Sequence, residues 1–355
     1  MKAKILLLSI SVFLGLLLLE IIVRVFNLAP PIAENVGVYR LNDNPRTVYE
    51  LTPGKYLDGS QINKQGFMDV DFEEEKKDNV IRIAELGDSI TEGMRMPIGK
   101  KFSDFLEVRL NQEACKQGSV KRYEVMNFGV GGYNLDAEVE LLRAKVVKYN
   151  PDIVIFNLAG NDNEPIPGLH LWLVSPENGL SEEQKSLLLR HYLEKRNSFL
   201  RFLTRKVFFK SKLYIFVMTR IDSIHNNRDS VNLFIKRHHC PRIDNSEEIL
   251  MRKYFAEIKQ LKNEYNFKLL ITLHPNLLKN IPTQIPTIVV FDRLAEESGF
   301  PHFQLYDYYI KLLPTGASLE LMKGDYCHPN EIGHRIIAEA QLSELKKNKF
   351  IDLGI

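Results

Sequence analysis

Residues 80–96 have the sequence VIRIAELGDSITEGMRM. The first part is mostly apolar, and a short apolar run of this kind is typical of a buried strand. The run stops at Gly87-Asp88-Ser89. Because a glycine lets the backbone turn sharply after a strand, we expect Ser89 at the strand's carboxyl end, where open α/β sheets bind their ligands. The same three residues would also suit a simple helix cap, since Asp and Ser are both good N-caps.

Downstream of residue 80, strand-like and helix-like segments alternate, which is typical of a parallel α/β sheet. We predict further strands at 123–127, 153–158, 267–273 and 303–306, and helices at 102–110, 134–147, 247–265, 291–297 and 331–346. The alternation breaks down in an insertion at about 163–246. The sequence therefore predicts a three-layer α/β/α sandwich over residues 79–350, with a mostly parallel five-stranded sheet.

Basic and aromatic side chains interleave between residues 196 and 220, within the insertion. We favour amphipathic helices packed over the sheet for this stretch, with the basic side chains facing water. The alternative is a lid or a surface that faces a membrane.

The N-terminal residues 1–26 do not fit a globular domain. Lys2 and Lys4 precede an apolar run over residues 5–26, in which Glu20 and Arg24 are the only charged residues. The run is long enough to span a bilayer if these two charges pair. No good cleavage site follows, so we favour an uncleaved signal anchor over a cleaved signal peptide. The leading lysines place the remaining chain outside the cytoplasm, in the periplasm or the cell exterior, either anchored or, if cleavage occurs, secreted.

Residues 27–78 have no sustained periodicity, and we interpret them as a linker and an irregular lead-in packed on the domain. The whole chain of 355 residues is 45% hydrophobic and 26% charged, as in ordinary globular proteins. Its formal charge of +2 is too small to suggest a nucleic acid partner. Its three cysteines exclude a disulfide-dense scaffold, and their spacing matches no zinc site.

Asp325 and His328 lie three positions apart near the C-terminus. In a tight turn the carboxylate would reach one ring nitrogen and leave the other free to face a nucleophile. A serine hydroxyl needs such an orienting group and base to react near neutral pH. The plainer interpretation is an exposed turn that carries an unrelated Asp and His.

Four short motifs occur in a fixed order: Gly87-Asp88-Ser89, Asn127 with Gly132, Gly160-Asn161-Asp162, and Asp325 with His328. Each of the first three follows a predicted strand. Together they resemble the SGNH (GDSL-type) hydrolase family over residues 80–346, and the N-terminal apolar run makes the chain most similar to the membrane-anchored bacterial members. The resemblance implies a flavodoxin-like strand order.

The resemblance also implies roles for these residues. Ser89 would be the nucleophile, His328 the general base and then acid, and Asp325 the group that orients the imidazole. The oxyanion hole would comprise the backbone N–H groups of Ser89 and Gly132 and the side-chain amide of Asn161. Gly132 is chosen over Gly129 and Gly131 because the family's glycine falls five residues after its asparagine. Neutral amide donors suit a developing negative charge.

The implied function is a serine esterase that hydrolyses carboxylic esters, including O-acetyl or lipid acyl esters, through an acyl-serine intermediate. Its substrate would be a small-molecule, glycan or lipid ester, and the chemistry needs no cofactor and no metal. An extracytoplasmic O-acyltransferase that uses the same residues is the alternative, and a non-catalytic binding module is a weaker one. Asp88 and Asp162 are expected to be structural, His274 is a candidate for the cleft wall, and His334 is expected in the last helix, away from the chemistry.

Overall fold

The structure is a computed structural model that describes residues 2–26, 28, 38–44, 46–163, 211–214, 216–217, 245–278, 281–283, 285–321, 325 and 327–351. The predicted insertion at about 163–246 therefore falls almost entirely outside the described residues. The chain divides into two compact units. One comprises Met1–Val36 and Tyr192–Pro241, and the other comprises Gly37–His191 and Arg242–Ile355.

The first unit contains helix α1 (Lys2–Val25). Its segment Leu6–Val25 is long and apolar enough to cross a membrane, a property that signal sequences share. Glu20 and Arg24 form an ion pair at 2.6 Å on this helix, as the sequence predicts. The Glu20 carboxylate also accepts hydrogen bonds from the Ser211 hydroxyl at 2.8 Å and the Lys212 amide at 2.9 Å. The one pair of charges inside the apolar run is thus satisfied by polar partners.

The second unit begins with short strands where the sequence suggested an irregular lead-in. Strands β1 (Tyr39–Leu41) and β2 (Tyr49–Leu51) form one antiparallel pair, and β3 (Tyr56–Leu57) and β4 (Ser60–Gln61) form another. They enclose a small apolar cluster of their own, made by Val38, Leu51, Leu57, Ile62 and Met68. Strands of two or three residues are too short to show an alternating pattern in the sequence.

The central sheet has five strands, and all of its neighbouring pairs are parallel. Its strands are β5 (Val80–Gly87), β6 (Arg122–Asn127), β7 (Ile153–Leu158), β8 (Lys268–Leu273) and β11 (His302–Gln304), with a small hairpin of β9 (Asn276–Leu278) and β10 (Ile281–Thr283) outside the sheet. The spatial order is β11-β8-β7-β5-β6. Counted within the sheet this is the flavodoxin-like order, whose topological switch point lies between β5 and β7. The predicted fold class is confirmed.

Helices cover both faces of this sheet. Among the described residues of the second unit, the α-helices are α2 (Ser89–Glu92), α3 (Phe102–Lys116), α4 (Leu135–Leu141), α5 (Asn245–Tyr265), α6 (Pro286–Ser298), α7 (Leu305–Leu312) and α8 (Glu331–Lys347). Helices α3 and α8 pack on each other and α7 packs on α8, whereas α5 packs on α4 and α6. These contacts give the predicted three layers.

The helix predicted over residues 134–147 begins as expected, because the Asn134 side chain caps it by accepting from the Ala137 amide at 3.0 Å. It is α-helical only as far as Leu141 and continues as a π turn over Leu142–Val146. The wider turn keeps Leu142 and Val146 buried on the core side.

The ends of three strands meet at one edge of the sheet. Glu85 of β5 pairs with Asn127, the last residue of β6, and Gly87 pairs with Asn157 near the end of β7. Ser89, the loop after β6 and the loop after β7 therefore share the carboxyl edge at the switch point, where doubly wound sheets bind ligands.

Candidate active site

The turn between β5 and α2 fixes Ser89 at the sheet edge. A Cβ atom at Gly87 would lie 2.1 Å from Thr91 Oγ1, so only glycine fits this turn. The Asp88 carboxylate caps α2 by accepting from the Ile90 amide at 2.8 Å, and Ser89 is the first residue of the helix. Asp88 is therefore a helix cap, and Ser89 lies at the carboxyl edge of the sheet.

His328 lies within hydrogen-bonding distance of both Ser89 and Asp325. Ser89 Oγ is 2.8 Å from His328 Nε2, and His328 Nδ1 is 3.0 and 3.1 Å from the two carboxylate oxygens of Asp325. Since a carboxylate only accepts, Nδ1 carries the proton toward Asp325 and Nε2 accepts from the serine hydroxyl. Asp325 also accepts the backbone amide of His328 at 3.0 Å, which fixes the turn.

The electrostatics of this group favour a charged Asp325 beside a basic imidazole. Burial opposes the charge on Asp325, but its hydrogen bonds with His328 outweigh burial and lower the pKa of the carboxyl. Burial likewise works against a charged imidazole, yet the hydrogen bonds of His328 with Asp325 and Cys327 raise its pKa above the ordinary value. The charged Asp325 is therefore placed to stabilise the imidazolium that forms when Nε2 takes up a proton.

Cys327 lies beside the imidazole, and the sequence analysis gave it no role. Its Sγ is 3.3 Å from His328 Nδ1, and burial raises the pKa of the thiol. Among the described residues, Asp325, Cys327 and His328 form the one group of His, Cys and acidic side chains close enough to share a metal ion. Asp325 and His328 already bind each other, so we assign no metal here.

The loop after β6, residues 128–133, is termed the glycine loop. One of its backbone amides, that of Gly132, is available to the site. Gly132 has a φ of +80°, the left-handed conformation that favours glycine. Within residues 128–133, Gly132 is the one residue whose N–H donates to no acceptor in the part of the chain that the structure describes. The other five amides donate to Glu85 O (from Phe128), Asn127 Oδ1 (from Gly129), Gly87 O (from Val130), Glu92 Oε2 (from Gly131) and Val130 O (from Tyr133).

Asn161 lies in the loop after β7, between the glycine loop and the turn that carries Ser89. Its amide donates to the carbonyl of Tyr133 at a long 3.4 Å. Burial raises the pKa of the neighbouring Asp88 carboxyl, and Asn161 works against that rise. The neighbouring Asp162 is buried and accepts the amide of Ala159 at 2.5 Å. Asp162 therefore holds the loop, as the sequence suggested.

The other two histidines considered in the sequence do not join this group. His274 is only 3% exposed, and its Nε2 lies 3.3 Å from Asn157 Oδ1. His334 is in α8, as predicted, and its Nδ1 accepts the Phe102 amide at 3.2 Å. Burial lowers the pKa of each to about 3, so both imidazoles are neutral. His274 directly follows β8, and its side chain is buried.

Sequence reasoning missed several residues that hold the glycine loop. The Glu92 carboxylate accepts the Gly131 amide at 2.6 Å, and the Tyr49 hydroxyl donates to the Gly131 carbonyl at 2.9 Å. The Asp69 carboxylate accepts the Asn127 amide at 2.8 Å. Tyr49 and Asp69 belong to the lead-in, where the sequence has no periodic signal. Only Glu92, one helical turn after Ser89, stood within a recognisable motif.

No protein-family model matches the chain, and neither does any curated protein. Solved structures with a similar fold include an acetyl xylan esterase, with 15% identity over 74% of this chain and 98% of that one, at a TM-score of 0.41. A variant of an acetyl xylan esterase from Geobacillus stearothermophilus has 13% identity over 75% and 94%, at 0.41. A lipolytic G-D-S-L family member from Veillonella parvula has 13% identity over 74% and 97%, at 0.40.

Proposed function

We propose that this protein is a serine esterase of the SGNH (GDSL-type) kind, which hydrolyses carboxylic esters through an acyl-serine intermediate. The observation that carries the proposal is the 2.8 Å contact between Ser89 Oγ and His328 Nε2, with the far side of the imidazole bound to Asp325. A hydroxyl, an imidazole and a carboxylate in this order activate a weak nucleophile near neutral pH.

The reaction follows from these contacts. Ser89 Oγ attacks the ester carbonyl while its proton passes to His328 Nε2, and Asp325 stabilises the imidazolium. The tetrahedral intermediate collapses with transfer of that proton to the departing alcohol, which leaves the acyl group on Ser89. Water then attacks the acyl-serine, again giving its proton to Nε2, and Ser89 regains a proton as the carboxylic acid leaves.

Three donors would stabilise the negative oxygen of each tetrahedral intermediate. They are the backbone N–H groups of Ser89 and Gly132 and the side-chain amide of Asn161. The free Gly132 amide supports the choice of this glycine over its neighbours. The long 3.4 Å bond from Asn161 to the Tyr133 carbonyl is the one that a substrate oxygen would replace. A single donor of this kind typically contributes ~3 kcal/mol to transition-state stabilisation.

We also propose that α1 anchors the protein in a membrane, with the second unit outside the cytoplasm. Support comes from the length and apolar character of Leu6–Val25 and from the two lysines before it. The substrate would then be an ester available at that side of the membrane, on a small molecule, a glycan or a lipid.

The test is ester turnover by the full-length protein in detergent, with p-nitrophenyl acetate, butyrate and decanoate. We expect Ser89→Ala to reduce kcat by about 10⁶-fold. Ser119→Ala is the matched control, because it removes a hydroxyl just before the amino end of β6, at the opposite edge of the sheet. Unchanged kcat in Ser89→Ala would refute the proposal. Formation of an acylated sugar when a sugar acceptor is added would instead identify an O-acyltransferase with the same nucleophile.

A further inference from the structure

We infer that Tyr49 and Glu92 are positioning residues, which hold the Gly131 backbone from both sides and thereby aim the Gly132 N–H at the oxyanion. The inference rests on the proposed function, since it assigns the Gly132 amide a task in ester hydrolysis. Neither side chain touches the reacting atoms. Tyr49 comes from the lead-in and Glu92 from the helix that carries Ser89.

The contact of Tyr49 bears directly on the Gly132 amide. The Tyr49 hydroxyl donates to the Gly131 carbonyl at 2.9 Å. That carbonyl and the Gly132 N–H belong to one peptide group, which is planar and trans. The N–H therefore points away from the carbonyl oxygen, and a donor that fixes the oxygen also fixes the direction of the N–H.

The contact of Glu92 holds the preceding peptide group. The side chain is 2% exposed, and its Oε2 accepts the Gly131 N–H at 2.6 Å. A Cβ at Gly129 would lie 2.1 Å from the Glu92 backbone nitrogen, and a Cβ at Gly131 would lie 3.1 Å from Glu92 Oε2. The glycine loop therefore packs directly against Glu92, which fixes the distance between this loop and α2, the helix that begins at Ser89.

The loop needs such supports because of its composition. Glycines occupy positions 129, 131 and 132, and glycine restricts its own backbone less than any other residue. An oxyanion donor is effective only when its direction is set before the charge develops. Tyr49 is itself fixed, since its ring meets those of Tyr39 and Tyr133 edge-on at centroid distances of 5.6 and 5.3 Å.

The experiment compares Tyr49→Phe and Glu92→Ala with matched controls elsewhere in the second unit. Tyr123→Phe removes the hydroxyl of an equally buried tyrosine on β6. Glu107→Ala removes a carboxylate that, like Glu92, accepts a backbone amide, here from Val125 at 2.9 Å. Glu92→Gln keeps an acceptor oxygen for Gly131 and serves as the conservative variant. All are assayed as full-length protein in detergent with p-nitrophenyl butyrate.

We expect Tyr49→Phe and Glu92→Ala each to lower kcat about 10-fold with KM within twofold, less than the 10²–10³ lost with a whole donor. Inhibition by an alkylboronic acid, which forms a tetrahedral anion on the serine, should weaken by a similar factor. Glu92→Gln should recover most of the kcat, and Tyr123→Phe and Glu107→Ala should match the wild type. Active sites are counted with a fluorophosphonate, so that a smaller folded fraction does not count as a lower kcat.

Tyr49→Phe keeps the aromatic ring in place, so it decides the matter if Glu92→Ala does not fold. A kcat per active site within twofold of the wild type in Tyr49→Phe would overturn the inference. An equal loss in Tyr123→Phe would overturn it too. The proposed function is refuted by a different result, which is that Ser89→Ala retains ester turnover.

Discussion

His328 Nε2 lies 2.8 Å from Ser89 Oγ, although 239 positions separate the two residues in the chain. The sheet brings them together. Ser89 follows β5 at the carboxyl edge of the sheet. His328 lies in the turn that leads into α8, and α8 packs on α3.

Asp325→Asn should lower kcat on p-nitrophenyl butyrate by about 10⁴-fold while the protein remains folded. The amide cannot stabilise the imidazolium, and it favours the wrong tautomer of His328. Asp307→Asn is the control, because Asp307 is an exposed carboxylate on α7. Full activity in Asp325→Asn together with a loss in Asp307→Asn would move the orienting role to Asp307.

Asn161→Ala should lower kcat by about 10²–10³-fold, because it deletes one oxyanion donor. Asn161→Asp should be at least as damaging, since an isosteric carboxylate cannot donate and would face the Asp88 carboxylate. KM should change little in Asn161→Ala, because the donor acts mainly on the transition state. A variant that raises KM at constant kcat would make Asn161 a substrate-binding residue instead.

Glu85→Gln should stabilise the protein at alkaline pH. Burial raises the pKa of the Glu85 carboxyl from 4.5 to about 8, against the hydrogen bonds from Asn157 and Gln341. The protonated form is therefore favoured by folding. The contribution of this protonated carboxyl to the free energy of unfolding is complete below pH 4.5 and is lost as pH rises to about 8. Each unit of difference between the folded and unfolded pKa is worth about 1.4 kcal/mol.

Urea unfolding of wild type and Glu85→Gln at several pH values measures this effect. The two proteins should differ little at pH 4, and the difference in free energy of unfolding should grow in favour of the variant up to pH 8 and then level off. A difference that is constant across the whole range would mean that Glu85 is ionised in the folded protein.

The intact protein should fractionate with membranes and resist extraction by salt, because an anchor of ~20 apolar residues is costly to remove from lipid. A protein held only by surface charge would be released, since salt screens such attraction within about a Debye length. N-terminal sequencing of the mature form completes the test. A mature chain that begins near Pro30 would identify α1 as a cleaved signal peptide.

Long buried segments could be predicted from the sequence because their patterns are strong. The strand predicted at 153–158 is Ile153–Leu158, every residue of which is buried. By contrast, 303–306 was predicted as a strand, but β11 ends at Gln304 and α7 begins at Leu305. The aromatic and β-branched residues of α7 resemble a strand in composition, and only the packing of α7 on α8 distinguishes the two.

The residues of the proposed site could be picked out from the sequence because each stands in a short local motif at a strand end or a helix start. The residues that hold these side chains and the glycine loop in place could not be predicted from the sequence. Tyr49 and Asp69 contact the site only after the lead-in has docked, and no local pattern encodes that docking. The choice of Gly132 depended on family spacing in the sequence and stays a prediction. In the structure the amides of Gly129 and Gly131 have acceptors of their own.

The docked lead-in also sets an order of assembly. A chain emerges N-terminus first, yet Asp69 has its partner Asn127 58 positions later, and Tyr49 has Gly131 82 positions later. Arg46 pairs with Glu257, 211 positions later. The contacts of Asp69 and Tyr49 can therefore form only after β6 has been made, and the pair of Arg46 only after α5 has been made. A recombinant fragment that begins at Val80 would retain Ser89, Asp325 and His328, yet leave the Asn127 amide without its acceptor.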